Sequence, residues 1–299
     1  MQILWLGDPA CCRTELVGGK TANLSRLAGD YPVPPGFCLT AEAARRALAT
    51  ASPANGATGP ALPPPLLAEL AGAYRTLGER LGMPDPCVAV RSSAADEDGQ
   101  DASFAGQHDT FLNVRGFDAV VAAVCQCWES AATPRALEYR LRHGLQPSAV
   151  QLAVLVQHLV VADVAAVVFS CNPVTGSRDE VMINASWGLG ESIVGGSVTP
   201  DTFLIAKSEF TVRSRVIGAK QRMTIAVPEG TREVDVPRLL RDVPCLDAGQ
   251  AATMARLACS LENTMGWPVD VECAYRGDQL FLLQCRPITT LPVGVARAS

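Results

Sequence analysis

The sequence predicts a mixed α/β protein of the α+β class, in which helices alternate with antiparallel strand pairs. The stretch "VQLAVLVQHLVVADVAAVVF" predicts two buried strands with a turn near Ala162-Asp163, because two apolar runs flank one polar break. The stretch "VDVECAYRGDQLFLLQCRP" predicts a second strand pair around a Gly-Asp turn signal. Amphipathic helical patterns lie between such pairs, which is typical of helices packed on sheets.

The helices are predicted where apolar residues recur at helical spacing. Leu16, Leu24 and Leu27 mark the first, from Thr14 to Leu27, which is expected to start near the glycine pair of "VGGKT". Further helices are expected over 42–49, capped at Thr40, within "PPLLAELAGAYRTLGERLG", around 117–143 and over 248–265. The stretch "CVAVRSS" predicts a strand that ends near Arg91, and strands are also expected in "EVMINASW" and "TPDTFLIAKSEFTVRSRVIG". The Ala/Pro/Gly-rich segment 51–65 is expected to form a surface loop.

Composition limits the class of protein. The 299 residues are 48% hydrophobic and 18% charged, as expected of a globular chain with a sizeable core. A net charge of -5 argues against a nucleic-acid partner, which requires a basic face. The eleven cysteines form no C-x-x-C pair and only three histidines are present, so we expect neither a disulfide scaffold nor a zinc site. The start "MQILWLGDPACC" lacks signal-peptide features and no apolar run is long enough to span a membrane, so we expect a cytoplasmic protein without a membrane partner.

The segment "VGGKTANL" contains a possible phosphate-binding lysine, Lys20. The phosphate-loop motif G-x-x-x-x-G-K-[ST] requires a glycine where this chain has Thr14. By motif alone, a glycine turn with a surface lysine therefore explains the segment as well.

The segment "RSSAADEDGQDASFAGQHDTFLNV" begins with an arginine and continues with small, hydroxyl and acidic residues. Such a loop can approach a ligand closely at Gly106 and offer backbone N–H groups to phosphate oxygens. A solvated connection without chemistry is the alternative.

The most specific pattern of polar residues lies in the predicted hairpin "VDVECAYRGDQLFLLQCRP" near the end of the sequence. Asp270 and Glu272 share one face of its first strand, and Gln284 and Arg286 share one face of the next. A loop of odd length, such as 277–279, would set Glu272 opposite Gln284 and Asp270 opposite Arg286. An even loop without a bulge would put the two pairs on opposite faces.

With these residues on one face, two carboxylates and a carboxamide offer the hard oxygen ligands that Mg²⁺ takes alongside substrate phosphates. An adjacent arginine, Arg286, can hold a γ-phosphate and stabilise charge during its transfer. The alternative is a cross-strand ion pair on a solvated face.

Seven segments, in order, carry a family resemblance: "LVGGKTANLSRL", "VPPGFCLT", "AVRSSAADED", "SFAGQHDTFLNV", "VFSCNPVTG", "NASWGLGESIVGGSVTPDTF" and "LLQCRPIT". The chain resembles the ATP-binding domain of the phosphoenolpyruvate synthase, pyruvate phosphate dikinase and rifampin phosphotransferase family. The resemblance implies an ATP-grasp fold whose two lobes, 1–156 and 157–291, grip ATP and Mg²⁺, followed by a tail over 292–299.

The resemblance also implies roles for individual residues. Those implied to contact ATP are Lys20, Arg91, Gly106, Thr110, Gln157, Glu272, Gln284 and Arg286. Those implied to bind the metal are Glu272, Gln284 and Asp270. Lys20, Arg91 and Arg286 are implied to act on the phosphates during transfer. Gly106 and Thr110 belong to an implied mobile loop over about 92–110, and Gln157 lies where the family holds adenine.

The chain departs from the family pattern in two ways. Asn172 stands in "FSCNPVTG" where family members often have aspartate. The catalytic histidine motif "G-G-x-x-S-H" of full-length relatives is absent, and His108, His143 and His158 lie in other contexts. The chain ends soon after its last recognisable motif, at "PVGVARAS", and an excised domain of a longer enzyme is one explanation.

We therefore expect an ATP-dependent phosphotransferase whose acceptor comes from elsewhere. The acceptor is either a histidine domain on a separate protein or a small molecule that enters the cleft directly. A regulatory module that binds ATP without transferring a group is the alternative from another class, and a ligase that forms an acyl phosphate has no support from these motifs.

Overall fold

The computed structural model describes residues 2–50, 62–94, 110–130 and 152–289. The chain divides into two compact units. Unit 1 comprises Met1–Leu159 with Pro228–Gly230, and unit 2 comprises Val160–Val227 with Thr231–Ser299. Each unit combines helices with antiparallel sheet, so the α+β class predicted from the sequence is confirmed. Within the described ranges, no helix has the length and apolar character needed to cross a membrane.

Unit 1 is built on a five-stranded sheet. Its strands are β1 (Ile3–Trp5), β2 (Gly36–Leu39), β3 (Val88–Ala94), β4 (Thr110–Val114) and β5 (Leu152–His158). Its helices are α1 (Thr14–Leu27), α2 (Ala41–Thr50), α3 (Pro64–Leu81) and α4 (Phe117–Ser130), and a short 3-10 helix covers Pro9–Cys12. The strand order is β1-β2-β5-β3-β4, and every neighbouring pair is antiparallel.

Different helices cover the two faces of this sheet. Val90 and Val156 lie on one face, in a core cluster with buried residues of α2, α3 and α4. Cys38 and Ala153 lie on the other face, where they pack against Val17 of α1. Since side chains alternate along a strand, the face that α1 covers is also the face of Arg91, one residue after Val90 on β3.

Unit 2 contains a six-stranded antiparallel sheet and a separate hairpin. The strands are β6 (Val164–Phe169), β7 (Glu180–Trp187), β8 (Asp201–Ala206), β9 (Val212–Val216), β10 (Arg222–Ala226), β11 (Thr231–Asp235), β12 (Val269–Arg276) and β13 (Gln279–Pro287). The helices are α5 (Glu191–Val194), α6 (Arg238–Arg241) and α7 (Ala248–Met265). The large sheet has the order β13-β12-β6-β7-β8-β9, and β10 pairs with β11.

Helix α7 contacts β12, β6, β7 and β8 of the large sheet. It begins at a capping box, in which the Asp247 carboxylate accepts from the Gln250 N–H at 2.7 Å, and it ends at Gly266 in the left-handed conformation. Val271 and Ile183 belong to one row across the sheet through Val168, and both are fully buried. Their burial marks the face that α7 covers. The residues that alternate with them along each strand, such as Asp270 and Glu272, belong to the more open face.

Candidate functional site

The hairpin of β12 and β13 brings together four predicted site residues. Glu272 lies opposite Gln284, and Asp270 lies opposite Arg286. The pairing expected of an odd loop is therefore present, and one sheet face carries two carboxylates, a carboxamide and a guanidinium.

The sequence left the loop length open, and the structure has an even loop together with a bulge. Arg276 pairs with Gln279, so the loop holds only two residues, Gly277-Asp278. A β-bulge next to Glu272 makes Leu283 an extra residue in β13 and restores the parity that an even loop would otherwise invert. A bulge depends on how two strands pair, and no residue pattern in β13 predicts it.

The Asp270 carboxylate and the Arg286 guanidinium form a partly buried ion pair. Arg286 donates from Nε and from Nη2 to the same oxygen, Oδ2, at 2.8 Å each. The other oxygen, Oδ1, is buried and has no hydrogen-bond partner among the described residues. Burial raises the pKa of Asp270, Arg286 offsets part of that shift, and Glu272 adds to it. A cross-strand ion pair is thus present, but Asp270 is buried and not on the solvated face that the alternative required.

The Oδ1 atom of Asp270, which has no hydrogen-bond partner among the described residues, indicates whether the hairpin could bind Mg²⁺. A buried carboxylate oxygen without a partner is costly, and a cation is the partner that a carboxylate accepts best. Within the described ranges no group of three or more His, Cys, Asp or Glu side chains is placed to hold a metal. The donors here are two carboxylates and one amide oxygen, which suits an ion that keeps water and phosphate oxygens in its coordination shell. The residues present fit Mg²⁺.

A polar row extends this face beyond the hairpin. Glu272 pairs with Val167, Val167 with Asn184, and Asn184 with Thr202, so all four share the open face. Thr202 Oγ1 donates to Asn184 Oδ1 at 2.9 Å. Sequence reasoning missed Asn184 and Thr202 because their position on the row of Glu272, two and three strands away, depends on the order of four strands.

In unit 1, Lys20 follows a break inside α1. The helix bounds predicted from the sequence are confirmed, but Gly18 has φ 78° and ψ 166°, which is not helical. Helical geometry therefore resumes at Gly19, and the partly exposed Lys20 lies in the first turn after the break. A backbone with these angles is essentially restricted to glycine, so the glycine pair has a local structural reason.

Arg91 and Thr110 lie on the sheet face that α1 covers. They are direct register partners between β3 and β4, and Leu155 and Cys38 continue the same row through β5 and β2. The prediction that Arg91 ends its strand is wrong, because β3 continues to Ala94. Lys20, Arg91 and Thr110 are thus all placed on one side of the unit 1 sheet.

Gln157 is buried on β5, and its Nε2 donates to the Pro34 carbonyl at 3.0 Å. The side chain anchors the turn before β2, and its contact with adenine stays a prediction. Gly106 lies outside the described residues, as do 95–109 of the predicted loop. His158, on β5, is half-buried, whereas His108 and His143 lie outside the described residues.

Unit 2 contains a buried ion pair that was not predicted from the sequence. Lys220 binds Asp201, and both side chains are fully buried. The Asp201 carboxylate also accepts from the N–H groups of Gly218 at 2.9 Å and Cys245 at 2.8 Å. Asp201 lies in "VTPDTF", but Lys220 stands in an unremarkable loop, so nothing in the sequence reveals its burial.

A comparison with known families identifies proteins to which this chain is similar. The family model described as "Pyruvate phosphate dikinase, AMP/ATP-binding domain" matches residues 58–298. The chain belongs to this family. Membership confirms the resemblance drawn from the seven motifs.

Several longer proteins are similar to this chain over part of their length. Phosphoenolpyruvate synthase of Pyrococcus furiosus is 35% identical over 97% of this chain and 44% of its own length. The prodigiosin synthesizing transferase PigC of Serratia marcescens is 39% identical over 92% of this chain and 32% of its own length. The uncharacterized phosphotransferase YvkC of Bacillus subtilis is 35% identical over 93% of this chain and 34% of its own length. The chain thus spans less than half the length of these relatives.

The departure from the dikinase pattern at Asn172 has a structural reason. Asn172 is buried, and its Oδ1 accepts from the N–H groups of Val174 at 2.9 Å and Thr175 at 3.2 Å. An aspartate could make both contacts. The Asn172 Nδ2, however, donates to Glu180 Oε1 at 2.8 Å, which an aspartate could not do. The amide thus suits a turn that faces a carboxylate.

Proposed function

We propose that this chain holds Mg-ATP and acts as the nucleotide-binding part of an ATP-dependent phosphotransferase of the dikinase type. Family membership supports ATP as the ligand. Phosphotransfer is supported by relatives named as a phosphoenolpyruvate synthase and as a phosphotransferase.

The observation that carries the proposal is the buried Oδ1 of Asp270, which has no hydrogen-bond partner in the described part of the chain and lies on the face of Glu272 and Gln284. Mg²⁺ bound there would neutralise charge on the phosphates and hold them for in-line transfer. Asp270 and Glu272 would supply negative oxygens to it, and Gln284 would supply a neutral one. Arg286 would bind the γ-phosphate and stabilise charge on it during transfer.

The predicted residues of unit 1 serve the rest of the nucleotide. Lys20 and Arg91 neutralise phosphate oxygens from the side of the sheet that α1 covers. Gly106 and Thr110 close over the phosphates, and Gln157 lies at the adenine. In this proposal the lobes 1–156 and 157–291 both contribute residues that bind ATP, in the cytoplasm.

The acceptor is the open part of the proposal. It is either a histidine on a separate domain or protein, or a nucleophilic group of a small molecule. A histidine acceptor of the dikinase type receives the β-phosphoryl group, water takes up the γ-phosphoryl group, and AMP and phosphate result.

Phosphorus NMR of ATP with Mg²⁺ tests the function and the acceptor together. The protein is incubated with either the protein fraction or the small-molecule filtrate of its host's extract. AMP and phosphate formed only with the protein fraction identify an acceptor in trans. A new phosphoester formed with the filtrate identifies a small-molecule kinase, and ADP or AMP beside it shows which bond breaks.

Variants of the hairpin test the site itself. Glu272→Ala and Arg286→Ala are expected to abolish ATP consumption. Arg276→Ala, which removes an exposed arginine from the same hairpin, is expected to leave it unchanged. Turnover retained by Glu272→Ala and Arg286→Ala would refute the assigned transfer centre, and ATP that binds but is never consumed would favour a regulatory module.

A further inference from the structure

The break in α1 rests directly on a buried serine of β3. A Cβ atom built on Gly18 would lie 2.3 Å from the Ser93 carbonyl oxygen and 2.4 Å from Ser93 Oγ. Backbone and side chain of Ser93 therefore occupy the space beside Gly18, and only a glycine can lie there. Ser93 itself is 1% exposed.

Ser93 also forms a hydrogen bond to the turn that follows the break. The Thr21 N–H donates to Ser93 Oγ at 3.2 Å across 72 positions of sequence. The first N–H groups of a helix have no partner within the helix and need one from outside. Ser93 supplies it in the turn that contains Lys20.

The strand that carries Ser93 is held on both sides and also carries Arg91. β3 lies between β5 and β4, and Ser93 pairs with Ala153 while Arg91 pairs with Leu155 and Thr110. Because Ser93 lies two residues after Arg91, both face α1. One rigid strand thus contacts the turn that bears Lys20 and presents Arg91 on the same face.

We propose that Ser93 is a positioning residue that sets Lys20 in place beside Arg91, so that both cations meet one polyanionic ligand. This inference rests on the proposed function, in which that ligand is the triphosphate of ATP. Ser93 does not touch the nucleotide. It acts through the start of the helix after Gly18, which it holds by the contact with Gly18 and the bond from Thr21.

The first arm of the test needs no nucleotide. Ser93→Ala removes the acceptor of the Thr21 N–H but keeps the backbone contact with Gly18. Amide exchange of Thr21, followed by NMR in the full chain, is expected to accelerate about tenfold or more, because the amide loses its partner. Ser92→Ala is the matched control, since Ser92 is a buried serine one position earlier on the opposite face of β3. It is expected to leave exchange of Thr21 unchanged.

The second arm measures the dissociation constant of Mg-ATP by calorimetry. Ser93→Ala is expected to raise it about fivefold, the equivalent of one neutral hydrogen bond. Ser92→Ala is expected to leave it unchanged. In a Lys20→Ala background, Ser93→Ala is expected to have little further effect, because a residue that acts through Lys20 loses its influence with it.

The outcomes distinguish failure of the Ser93 inference from failure of the proposed function on which it rests. Unchanged exchange of Thr21, or an equal effect of Ser93→Ala with and without Lys20, would overturn the positioning role. Loss of thermal stability in Ser93→Ala with an unchanged dissociation constant would reduce Ser93 to a structural residue. Failure of the wild-type protein to bind Mg-ATP would overturn the proposed function, while the exchange arm would still decide whether Ser93 holds the break.

Discussion

Asp270 gives one carboxylate oxygen to Arg286 and keeps the other buried without a hydrogen-bond partner among the described residues. A buried polar atom left unsatisfied costs about 1–3 kcal/mol. The ion pair therefore orients Asp270 but does not satisfy it. This oxygen lies on the face of Glu272 and Gln284. A cation bound there would interact with the oxygen and offset the free-energy penalty of its burial.

Asp270→Asn is expected to weaken Mg²⁺ binding in the presence of ATP about tenfold, a loss of about 1.4 kcal/mol. The variant keeps the shape of the side chain but loses the charge that attracts the metal. Mn²⁺ titrations followed by electron paramagnetic resonance measure the effect. Asp278→Asn, in the exposed turn of the same hairpin, is the control, and equal affinities for the two variants would argue against a metal at Asp270.

Asn172→Asp is expected to destabilise unit 2 by about 1–3 kcal/mol, because it replaces a hydrogen bond to Glu180 with a carboxylate facing a carboxylate. Urea denaturation measures the loss. Glu180→Gln in the same chain is expected to restore most of it by supplying a donor. If the double variant is no more stable than Asn172→Asp, the contact with Glu180 does not explain the asparagine.

Lys220→Met is expected to lower the free energy of unfolding by about 3–5 kcal/mol, because it leaves the fully buried Asp201 without its counter-charge. Lys207→Met is the control. Lys207 pairs with Glu262 at 2.5 Å, but both side chains are about one-fifth exposed (21% and 19%), so a smaller loss is expected. Unfolding in urea compares the two variants, and similar losses would show that burial does not set the strength of the Lys220 pair.

Gly18→Ala is expected to destabilise unit 1 far more than Gly82→Ala, although both glycines have positive φ. A Cβ on Gly82 meets nothing within 4 Å, so only backbone strain of about 1–2 kcal/mol is expected there. A Cβ on Gly18 would also collide with Ser93. Thermal unfolding distinguishes the two, and equal shifts in melting temperature would mean that α1 moves away from β3 without penalty.

The parts of this protein that sequence reasoning reached are local in the chain or follow from strand periodicity. The bounds of α1 and the alternation that puts Asp270 and Glu272 on one face were both correct. The pairing across the hairpin could not be decided from the sequence, because it depended on loop length and on the absence of a bulge. The structure combines an even loop with an extra residue at Leu283, which gives the same parity as an odd loop.

The sequence by itself determined the α+β class, the family and the residue types available to hold phosphate and metal, because these depend on periodicity and on motifs within short segments. Only the tertiary structure decided which residues meet across strands. The contacts of Ser93 with Gly18, of Asn184 with Thr202 and of Asp201 with Lys220 join segments that no local pattern connects. The reason is physical: strand order and register select these contacts, and a slip of one residue exchanges the two faces of a strand.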